Sequence, residues 1–305
     1  MAEFRLFSGS AHPELANEIS LRLGLKISPS EIHRFLDGEF KIRLLDEVKG
    51  KTCFVLQPTS KPAAENLLEL LMYIDALKRA KAKKIVAVMP WFGFARQDWI
   101  SKPGEPVTAE LAAKMIEAAG CDAVLALDLH SEKIKKFFKK IDVLELSAMP
   151  LLVEYLNGKH FNGLVIVAPD AGSAKKVKKL AKELHAGIAI IEKHRPRENV
   201  SEVKGFSGEV SGKTVLMLDD MIDTAGTITT SAEAVKERGA KEVYVAATHG
   251  VLSGPAIERI HRSPIKEVIV TNSLPIEAGK RISQLKILSV AGILAEGIQK
   301  LAGKK

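Results

Sequence analysis

The chain has 305 residues, of which 46% are hydrophobic, so it is long enough for two domains of roughly 150 residues, each with its own core. Its formal net charge of +8 suits a protein that binds phosphorylated ligands, and would equally suit a nucleic-acid-binding protein. Aromatic residues make up only 5% of the chain and none alternates with the basic runs, which argues against a nucleic-acid partner that is held by base stacking.

The cysteines and the amino terminus indicate the compartment. Cys53 and Cys121 lie beside apolar runs and lack the spacing of metal ligands, so we interpret both as small core residues in a reducing compartment. The opening MAEFRLFSGSAHPEL has no basic and apolar regions of the kind found in a secretory signal, and no run of about eighteen apolar residues occurs. We therefore expect a soluble, cytoplasmic protein with no membrane association.

Short apolar runs, most of them separated by helical patterns, predict β-strands along the whole chain. The predicted strands are 53–56, 85–89, 124–127, 164–168, 215–218, 243–247 and 268–270. This alternation predicts an α/β architecture with parallel sheets. A helix end, a strand and a histidine recur at the same spacing in 120–130 and 239–249. We infer two similar domains, 1–147 and 148–305, and expect that the last helix, 291–302, could pack back on the first.

Polar side chains follow three of these strands. Arg96 and Gln97 come just after the second, where a guanidinium and an amide can contact phosphate or an adenine edge, although a surface turn is the alternative. His130 follows the third strand and Asp170 the fourth. Together they could hold Mg²⁺, chiefly through waters and phosphate oxygens, although a single histidine at a strand end is usually structural.

Residues 193–212 are polar and without clear periodicity, which predicts a long loop of the kind that closes over a site. Lys193 and Arg195 at its start are suited to neutralising charge on transferring phosphates, whereas exposed loop cations are usually only solvated. The run GEVSGKT, 208–214, is one residue short of a P-loop and precedes a strand instead of following one. We interpret it as a turn.

The segment VLMLDDMIDTAGT, 215–227, is the most specific motif of the chain. Asp219 and Asp220 are predicted at the carboxyl end of a buried strand, where open α/β sheets hold ligands and where carboxylates can accept hydrogen bonds from sugar hydroxyls. A helical pattern is clear from Thr229 onward, so the backbone before it can surround a phosphate. The residues of this predicted cradle are Asp223, Thr224, Ala225, Gly226 and Thr227.

Together these motifs resemble those of the ribose-phosphate pyrophosphokinase family, and the resemblance covers nearly the whole chain. The matching motifs are the opening FSGSAHPEL, RFLDGE (34–39), WFGFARQD (91–98), DLH (128–130), PD (169–170), KHRP (193–196), DDMIDTAGT (219–227) and ATHGVLSGPAIERI (247–260). The resemblance implies two phosphoribosyltransferase-like domains, each a mainly parallel sheet flanked by helices. It also implies Mg²⁺-dependent transfer of the diphosphoryl group of ATP to ribose 5-phosphate, for nucleotide biosynthesis.

The resemblance also implies a role for each candidate residue. Lys193 and Arg195 would stabilise the transition state, and His130 and Asp170 would serve Mg²⁺. The residues implied to bind ATP are Phe35, Asp37, Gly38, Glu39, Arg96 and Gln97. Those implied to bind ribose 5-phosphate are Arg195, Asp219, Asp220, Asp223, Thr224, Ala225, Gly226 and Thr227. In this family the hairpin that carries the DGE motif holds adenine across a subunit interface, which implies a dimer-based homo-oligomer, a hexamer or a tetramer.

The chain also departs from the family pattern. Glu47 and Lys49 stand where the family has Ser and Arg in an SVRG motif near an allosteric site, and the family's SVSxLF pattern is absent from the carboxyl-terminal region. Trp99 and Ile100 replace a common Arg-Lys pair, and His194 replaces a common Arg between the two catalytic cations. The changes at Glu47 and Lys49 and the missing SVSxLF pattern imply weak or absent allosteric inhibition by ADP and a modest dependence on free phosphate, whereas His194 leaves both catalytic positions intact.

Two other functions use similar motifs. A phosphoribosyltransferase would consume phosphoribosyl diphosphate at the same acidic cradle, but such enzymes usually need only one domain of this kind. A non-catalytic subunit associated with the synthetase would retain the fold and regulate a partner, and the presence of Lys193 and Arg195 argues against it.

Overall fold

The computed structural model describes residues 4–168, 174–197 and 200–303, and at 174–176, 179, 191–197 and 200–206 it describes the backbone alone. The chain divides into two compact units. The first extends to Ser147 and also includes Ser273–Pro275 and the segment from Ser289 onward, whereas the second consists of Ala148–Asn272 and Ile276–Leu288. Each contains a mainly parallel sheet with helices, which confirms the predicted α/β class.

The elements of the first unit are, in chain order, β1 (Phe4–Ser8), α1 (Pro13–Leu23), β2 (Ser30–Arg34), β3 (Phe40–Leu44), β4 (Thr52–Leu56), α2 (Ala63–Arg79), β5 (Lys84–Met89), α3 (Thr108–Ala119), β6 (Ala123–Leu127), α4 (Lys133–Phe137) and β7 (Asp142–Leu146). Those of the second are α5 (Met149–Asn157), β8 (Leu164–Ala168), α6 (Ala174–Glu183), β9 (Gly187–Arg197), β10 (Val200–Ser207), β11 (Thr214–Ile222), α7 (Gly226–Glu237), β12 (Glu242–Gly250), α8 (Ala256–Arg262), β13 (Ile265–Thr271), a 3₁₀ turn (Ala278–Lys280) and β14 (Leu285–Leu288). The last helix, α9 (Ala291–Leu301), belongs to the first unit.

The sheet of the first unit has the order β1-β4-β5-β6-β7, and all of its strands are parallel. Its strands are nearly continuous apolar runs because both faces are covered. In β6, Val124 and Ala126 belong to the core that the sheet forms with α2 and α3, whereas Leu125 faces the other way and lies against Gly297 of α9. The separate hairpin β2–β3 is antiparallel.

The sheet of the second unit has the order β10-β9-β8-β11-β12-β13-β14 and is parallel except for the edge pair β9–β10. Helices α7 and α8 pack on one face and α5 and α6 on the other. The chain moves outward from β8 to β9 and then returns to β11 on the other side of β8. The carboxyl ends of β8 and β11 therefore flank a topological switch point, the position where open α/β sheets bind ligands.

Two sequence predictions need correction in the second unit. The predicted loop 193–212 is wrong over most of its length, because β9 and β10 pair as an antiparallel hairpin with irregular register. The predicted strand end at Leu218 is also wrong, because β11 continues to Ile222 and stays in register with β12 as far as Gly250. In both segments the backbone pairs with a neighbouring strand, although the side-chain pattern there does not indicate a strand.

No helix within the described ranges is both long and apolar enough to cross a lipid bilayer.

Candidate active site

The two acidic residues of the DDMIDTAGT motif lie in the last part of β11. Asp219 pairs in register with Ala247 of β12, whereas the pairing of β11 with β8 ends at Met217. Asp219 and Asp220 are both partly exposed, and Asp219 Oδ1 accepts a hydrogen bond of 2.9 Å from the backbone N–H of Asp220. The two carboxyl groups therefore lie at the ligand-binding edge of the sheet although they are inside the strand.

The rest of the motif forms a sharp turn into a helix. Helix α7 begins at Gly226, three residues earlier than the sequence pattern indicated, and Ala225 precedes it in the left-handed conformation at φ 60°. The N-cap residue, Ala225, makes no side-chain hydrogen bond to the first turn. The backbone N–H of Thr229 already donates to the carbonyl of Ala225 at 3.0 Å, so the orphan donors of the helix are the N–H groups before it. Such a helix start has the polarity and the donors that bind a phosphate.

The segment that follows β12 holds this turn in place. The backbone N–H of Leu252 donates to the backbone carbonyl of Ile222 at 2.9 Å, and that of Ser253 donates to the backbone carbonyl of Asp223 at 2.9 Å. The Ser253 hydroxyl also donates to Asp223 Oδ1, and Arg259 Nη1 donates to the carbonyl of Thr224 at 3.0 Å. Sequence reasoning missed Ser253 and Arg259 as contacts of the turn. The available signal was the run SGPAIER (253–259), which begins shortly after β12.

In the first unit, Arg96 and Gln97 lie in a turn after β5 that depends on a close backbone approach. The N–H of Gly93 donates to Thr59 Oγ1 at 2.6 Å, and a Cβ atom on Gly93 would lie 2.2 Å from the Thr59 carbonyl oxygen. Gln97 Oε1 accepts a hydrogen bond of 3.1 Å from Thr108 Oγ1, which orients its amide, and Arg96 is exposed. The turn therefore presents both side chains from a rigid support.

His130 follows β6 in a segment that is held on both sides. The N–H of Leu129 donates to Glu145 Oε1 at 2.9 Å, and Ser131 Oγ donates to Asp98 Oδ2 at 2.5 Å. The second bond ties the segment to the turn after β5, since Asp98 directly follows Gln97. Hydrogen bonds with Glu132 and then Glu145 raise the pKa of Lys135, which keeps that ammonium charged beside the segment. His130 itself is exposed.

Phe35, Asp37, Gly38 and Glu39 form the tip of the β2–β3 hairpin, and all of them are exposed. The N–H of Phe35 donates to the Glu39 carbonyl at 2.7 Å and the N–H of Glu39 donates to Asp37 Oδ1 at 3.0 Å, while Gly38 has φ 93°. The Phe35 ring is 43% exposed and lies edge-on to His33, with ring centroids 4.7 Å apart. An exposed aromatic ring on an ordered tip can stack on a planar base.

The structure describes no side chain for three of the predicted site residues. Asp170 lies outside the described residues, and the side chains of Lys193 and Arg195 do as well, although their backbone is part of β9. Their roles stay predictions.

A divalent cation bound by the protein alone needs several oxygen-bearing or histidine side chains close together. In the described part of the chain, no group of three or more His, Cys, Asp and Glu side chains is arranged to hold a metal. An exposed His130 at a strand end fits Mg²⁺ that keeps several waters and takes its other ligands from substrate phosphates, which is how this ion usually binds in phosphoryl transfer.

Comparison with known proteins identifies the family. Residues 4–120 match the model for the N-terminal domain of ribose phosphate pyrophosphokinase, and residues 204–305 match that for the phosphoribosyl synthetase-associated domain. The chain is 46% identical, over 99% of its length, to a ribose-phosphate pyrophosphokinase of Fusobacterium nucleatum subsp. nucleatum, of which it covers 96%. The chain belongs to the ribose-phosphate pyrophosphokinase family. This confirms the resemblance inferred from the motifs.

The chain is also similar to two further members of this family over nearly its whole length. The chain is 48% identical to the ribose-phosphate pyrophosphokinase of Bacillus subtilis (strain 168) over 96% of the chain and 92% of that protein. It superposes on the crystal structure of phosphoribosylpyrophosphate synthetase from Mycobacterium smegmatis with a TM-score of 0.91 and 39% identity, covering 98% of both chains. The whole fold, and not one unit alone, is therefore that of the family.

Proposed function

We propose that this protein is a ribose-phosphate diphosphokinase, an ATP-dependent transferase that supplies phosphoribosyl diphosphate for nucleotide biosynthesis. Similarity to ribose-phosphate pyrophosphokinases over nearly the full length supports this activity. The observation that carries it is the cradle after β11. Asp219, Asp220 and the start of α7 lie there at the switch point of the second sheet.

Ribose 5-phosphate binds at that cradle in the proposed arrangement. The N–H groups of Gly226 and Thr227 at the start of α7, with the turn from Asp223 to Ala225, surround the 5-phosphate. The carboxylates of Asp219 and Asp220 accept hydrogen bonds from the ribose hydroxyls. This division places negative side chains against neutral hydroxyl donors and backbone donors against the phosphate charge.

ATP binds to residues of the first unit. Arg96 and Gln97 contact its phosphates or the adenine edge, and the exposed ring of Phe35 stacks on the base. The remaining residues of the hairpin tip that bind ATP are Asp37, Gly38 and Glu39. His130 and Asp170 would hold Mg²⁺, which would supply positive charge to the phosphates of ATP.

The transfer itself needs positioning and charge stabilisation, and no covalent nucleophile. The oxygen of the 1-hydroxyl forms a bond to the β-phosphorus of ATP, the bond from that phosphorus to the oxygen bridging the α-phosphorus breaks, and AMP leaves. The hydroxyl proton passes to solvent. Lys193 and Arg195 neutralise the charge on the transferring group, and Arg195 also contacts ribose 5-phosphate.

The test is to incubate the pure protein with ATP, Mg²⁺ and ribose 5-phosphate and to measure nucleotides and phosphoribosyl diphosphate. We expect AMP and phosphoribosyl diphosphate in equal amounts, and little of either from an Asp223→Asn variant. Release of ADP alone would overturn the reaction assignment. Base-dependent loss of phosphoribosyl diphosphate without AMP would favour a phosphoribosyltransferase, and inactivity rescued only by another subunit would favour a regulatory subunit.

The protein acts as a homo-oligomer in the cytoplasm in this proposal, with neither nucleic acid nor membrane as a partner. The hairpin tip supports the oligomer, because an exposed aromatic ring and two exposed carboxyl groups suit a site completed by a second copy.

A further inference from the structure

The turn that leads into α7 adopts a backbone conformation that needs outside support. Ala225 has φ 60° and ψ 0°, a left-handed conformation that costs a residue with a Cβ atom about 1 kcal/mol or more. Such residues persist where neighbouring structure holds them, and they concentrate at ligand sites. The support here comes from the segment after β12.

Ser253 makes two hydrogen bonds to Asp223, the first residue of the turn. Its backbone N–H donates to the carbonyl of Asp223 at 2.9 Å, and its hydroxyl donates to Asp223 Oδ1. The side-chain bond fixes the orientation of a carboxyl group that would otherwise turn about two torsions. With one oxygen of Asp223 engaged by Ser253, the direction of the other is set.

Arg259, on α8, acts on the next residue. Its Nη1 atom donates to the carbonyl of Thr224 at 3.0 Å and would lie 3.2 Å from a Cβ atom on Gly226. The guanidinium is therefore beside the start of α7, with its remaining N–H donors uncommitted to the turn. Among the described residues, Arg259 has no carboxylate within ion-pair distance, whereas Arg262 on the same helix pairs with Glu258 at 2.8 Å.

These contacts have two consequences for an anion. A charged hydrogen bond to the Thr224 carbonyl withdraws the negative end of that dipole from a phosphate, and it holds the turn with its N–H groups directed outward. The guanidinium also adds a fixed positive charge beside the helix start, where the helix dipole already favours anions.

We propose that Ser253 and Arg259 are positioning residues for the phosphate of ribose 5-phosphate, acting through Asp223 and Thr224. The proposal rests on the function proposed above. It assigns a role to the SGPAIER run, which is separated from the cradle by 30 and 35 residues in the chain.

The test for Arg259 is an Arg259→Gln variant beside an Arg262→Gln control, which removes the same charge from the same helix. The dissociation constant for ribose 5-phosphate, measured by calorimetry without ATP, should rise about tenfold in Arg259→Gln, since the variant loses a charged hydrogen bond that holds the turn. The KM for ATP and the Tm should match the control. An Arg259→Lys variant, which keeps the charge and loses the planar fork, should fall between wild type and Arg259→Gln.

Ser253→Ala and Ser253→Thr provide the second comparison. Loss of the hydroxyl should raise the dissociation constant for ribose 5-phosphate severalfold, and threonine should restore it. Equal affinities in Arg259→Gln, Arg262→Gln and wild type would overturn the proposal, as would parallel losses of ribose 5-phosphate and ATP binding. Because binding is measured apart from turnover, weaker binding in Arg259→Gln supports the proposal even if wild type releases no AMP. Absence of AMP would then overturn only the proposed reaction.

Discussion

Gly226 is the first residue of α7, and its own backbone does not require glycine. Its φ lies outside the left-handed region, and a Cβ atom would lie 3.2 Å from Arg259 Nη1 and at an ordinary contact distance of 3.9 Å from Thr224 Oγ1. We therefore expect Gly226→Val to fold with a Tm near that of wild type. Its side chain would block close approach of a phosphate to the backbone, so the KM for ribose 5-phosphate should rise at least about tenfold. Enzyme kinetics and thermal melts measure both, and a normal KM would contradict the cradle.

The two cysteines give a prediction about pH. Burial raises the pKa of Cys53 from 9.0 to about 12 and that of Cys121 to about 11. Because these folded-state values lie above the unfolded one, the thiols contribute stability that is present below about pH 9 and lost as the pH rises toward the folded values. We expect the free energy of unfolding in urea to fall between about pH 9, the unfolded-state pKa, and about pH 11, the folded-state pKa of Cys121.

A double variant, Cys53→Ala with Cys121→Ala, is the control for this decline, because tyrosines and lysines titrate in the same range. The decline should be shallower in the double variant. Equal slopes in the two proteins would show that the thiols are not responsible.

At the scale of elements, α9 closes the first unit over the neighbouring strands β6 and β7. A Cβ atom on Gly297 would lie 2.5 Å from Cδ1 of Leu125 and 2.7 Å from Cδ1 of Leu146. Gly297→Ala should therefore lower the free energy of unfolding by about 1–3 kcal/mol through overpacking. Gly292→Ala, on the same helix, would meet only Arg22 Nη1 at 3.4 Å and should be neutral or slightly stabilising. Urea unfolding of both variants tests this prediction. Equal unfolding midpoints for Gly297→Ala and Gly292→Ala would contradict the close packing of Gly297 against Leu125 and Leu146.

The same scale shows where local patterns failed. The polar residues at the end of β11 and in β9 and β10 carry little strand signal, yet they are paired in sheets, because backbone hydrogen bonds are indifferent to side-chain type. The start of α7 was placed three residues late for a related reason. Thr224, Ala225 and Gly226 have no apolar periodicity, so only the backbone shows where the helix begins.

At the scale of the whole molecule, the hairpin tip and the catalytic cations should act in different copies of the chain. Lys193→Ala should be nearly inactive alone, since a preorganised charge contact contributes several kcal/mol to transition-state stabilisation. Phe35→Ala should be nearly inactive at ATP concentrations below the KM, because it loses the ring that stacks on the base. When the two are unfolded together and refolded, random mixing in a symmetric oligomer should restore about a quarter of wild-type activity, because that fraction of sites receives both intact residues. Activity no higher than that of the separate variants would place the tip in its own chain's site.

A prediction about regulation also belongs to the scale of the whole molecule. Glu47 and Lys49, both exposed, stand where the family has Ser and Arg. A carboxylate repels the phosphates of ADP, and lysine lacks the bidentate fork of arginine. We expect ADP to inhibit only by competing with ATP, so that saturating ATP abolishes the inhibition.

A double variant, Glu47→Ser with Lys49→Arg, should gain inhibition that persists at saturating ATP. Strong sigmoidal inhibition of the wild-type protein under those conditions would show that an allosteric site survives the substitutions.

The sequence by itself determined the strands that are continuous apolar runs, the α/β class and the acidic motif before α7, because each depends on neighbours a few residues apart. The family followed from the motifs for the same reason. Only the tertiary structure decided the order of the strands, which places β11 beside the switch point. It also decided that Ser253 and Arg259 hold a turn 30 and 35 residues away. Contacts of this kind arise when strands pair and helices pack across the fold, and no local pattern of residues encodes them.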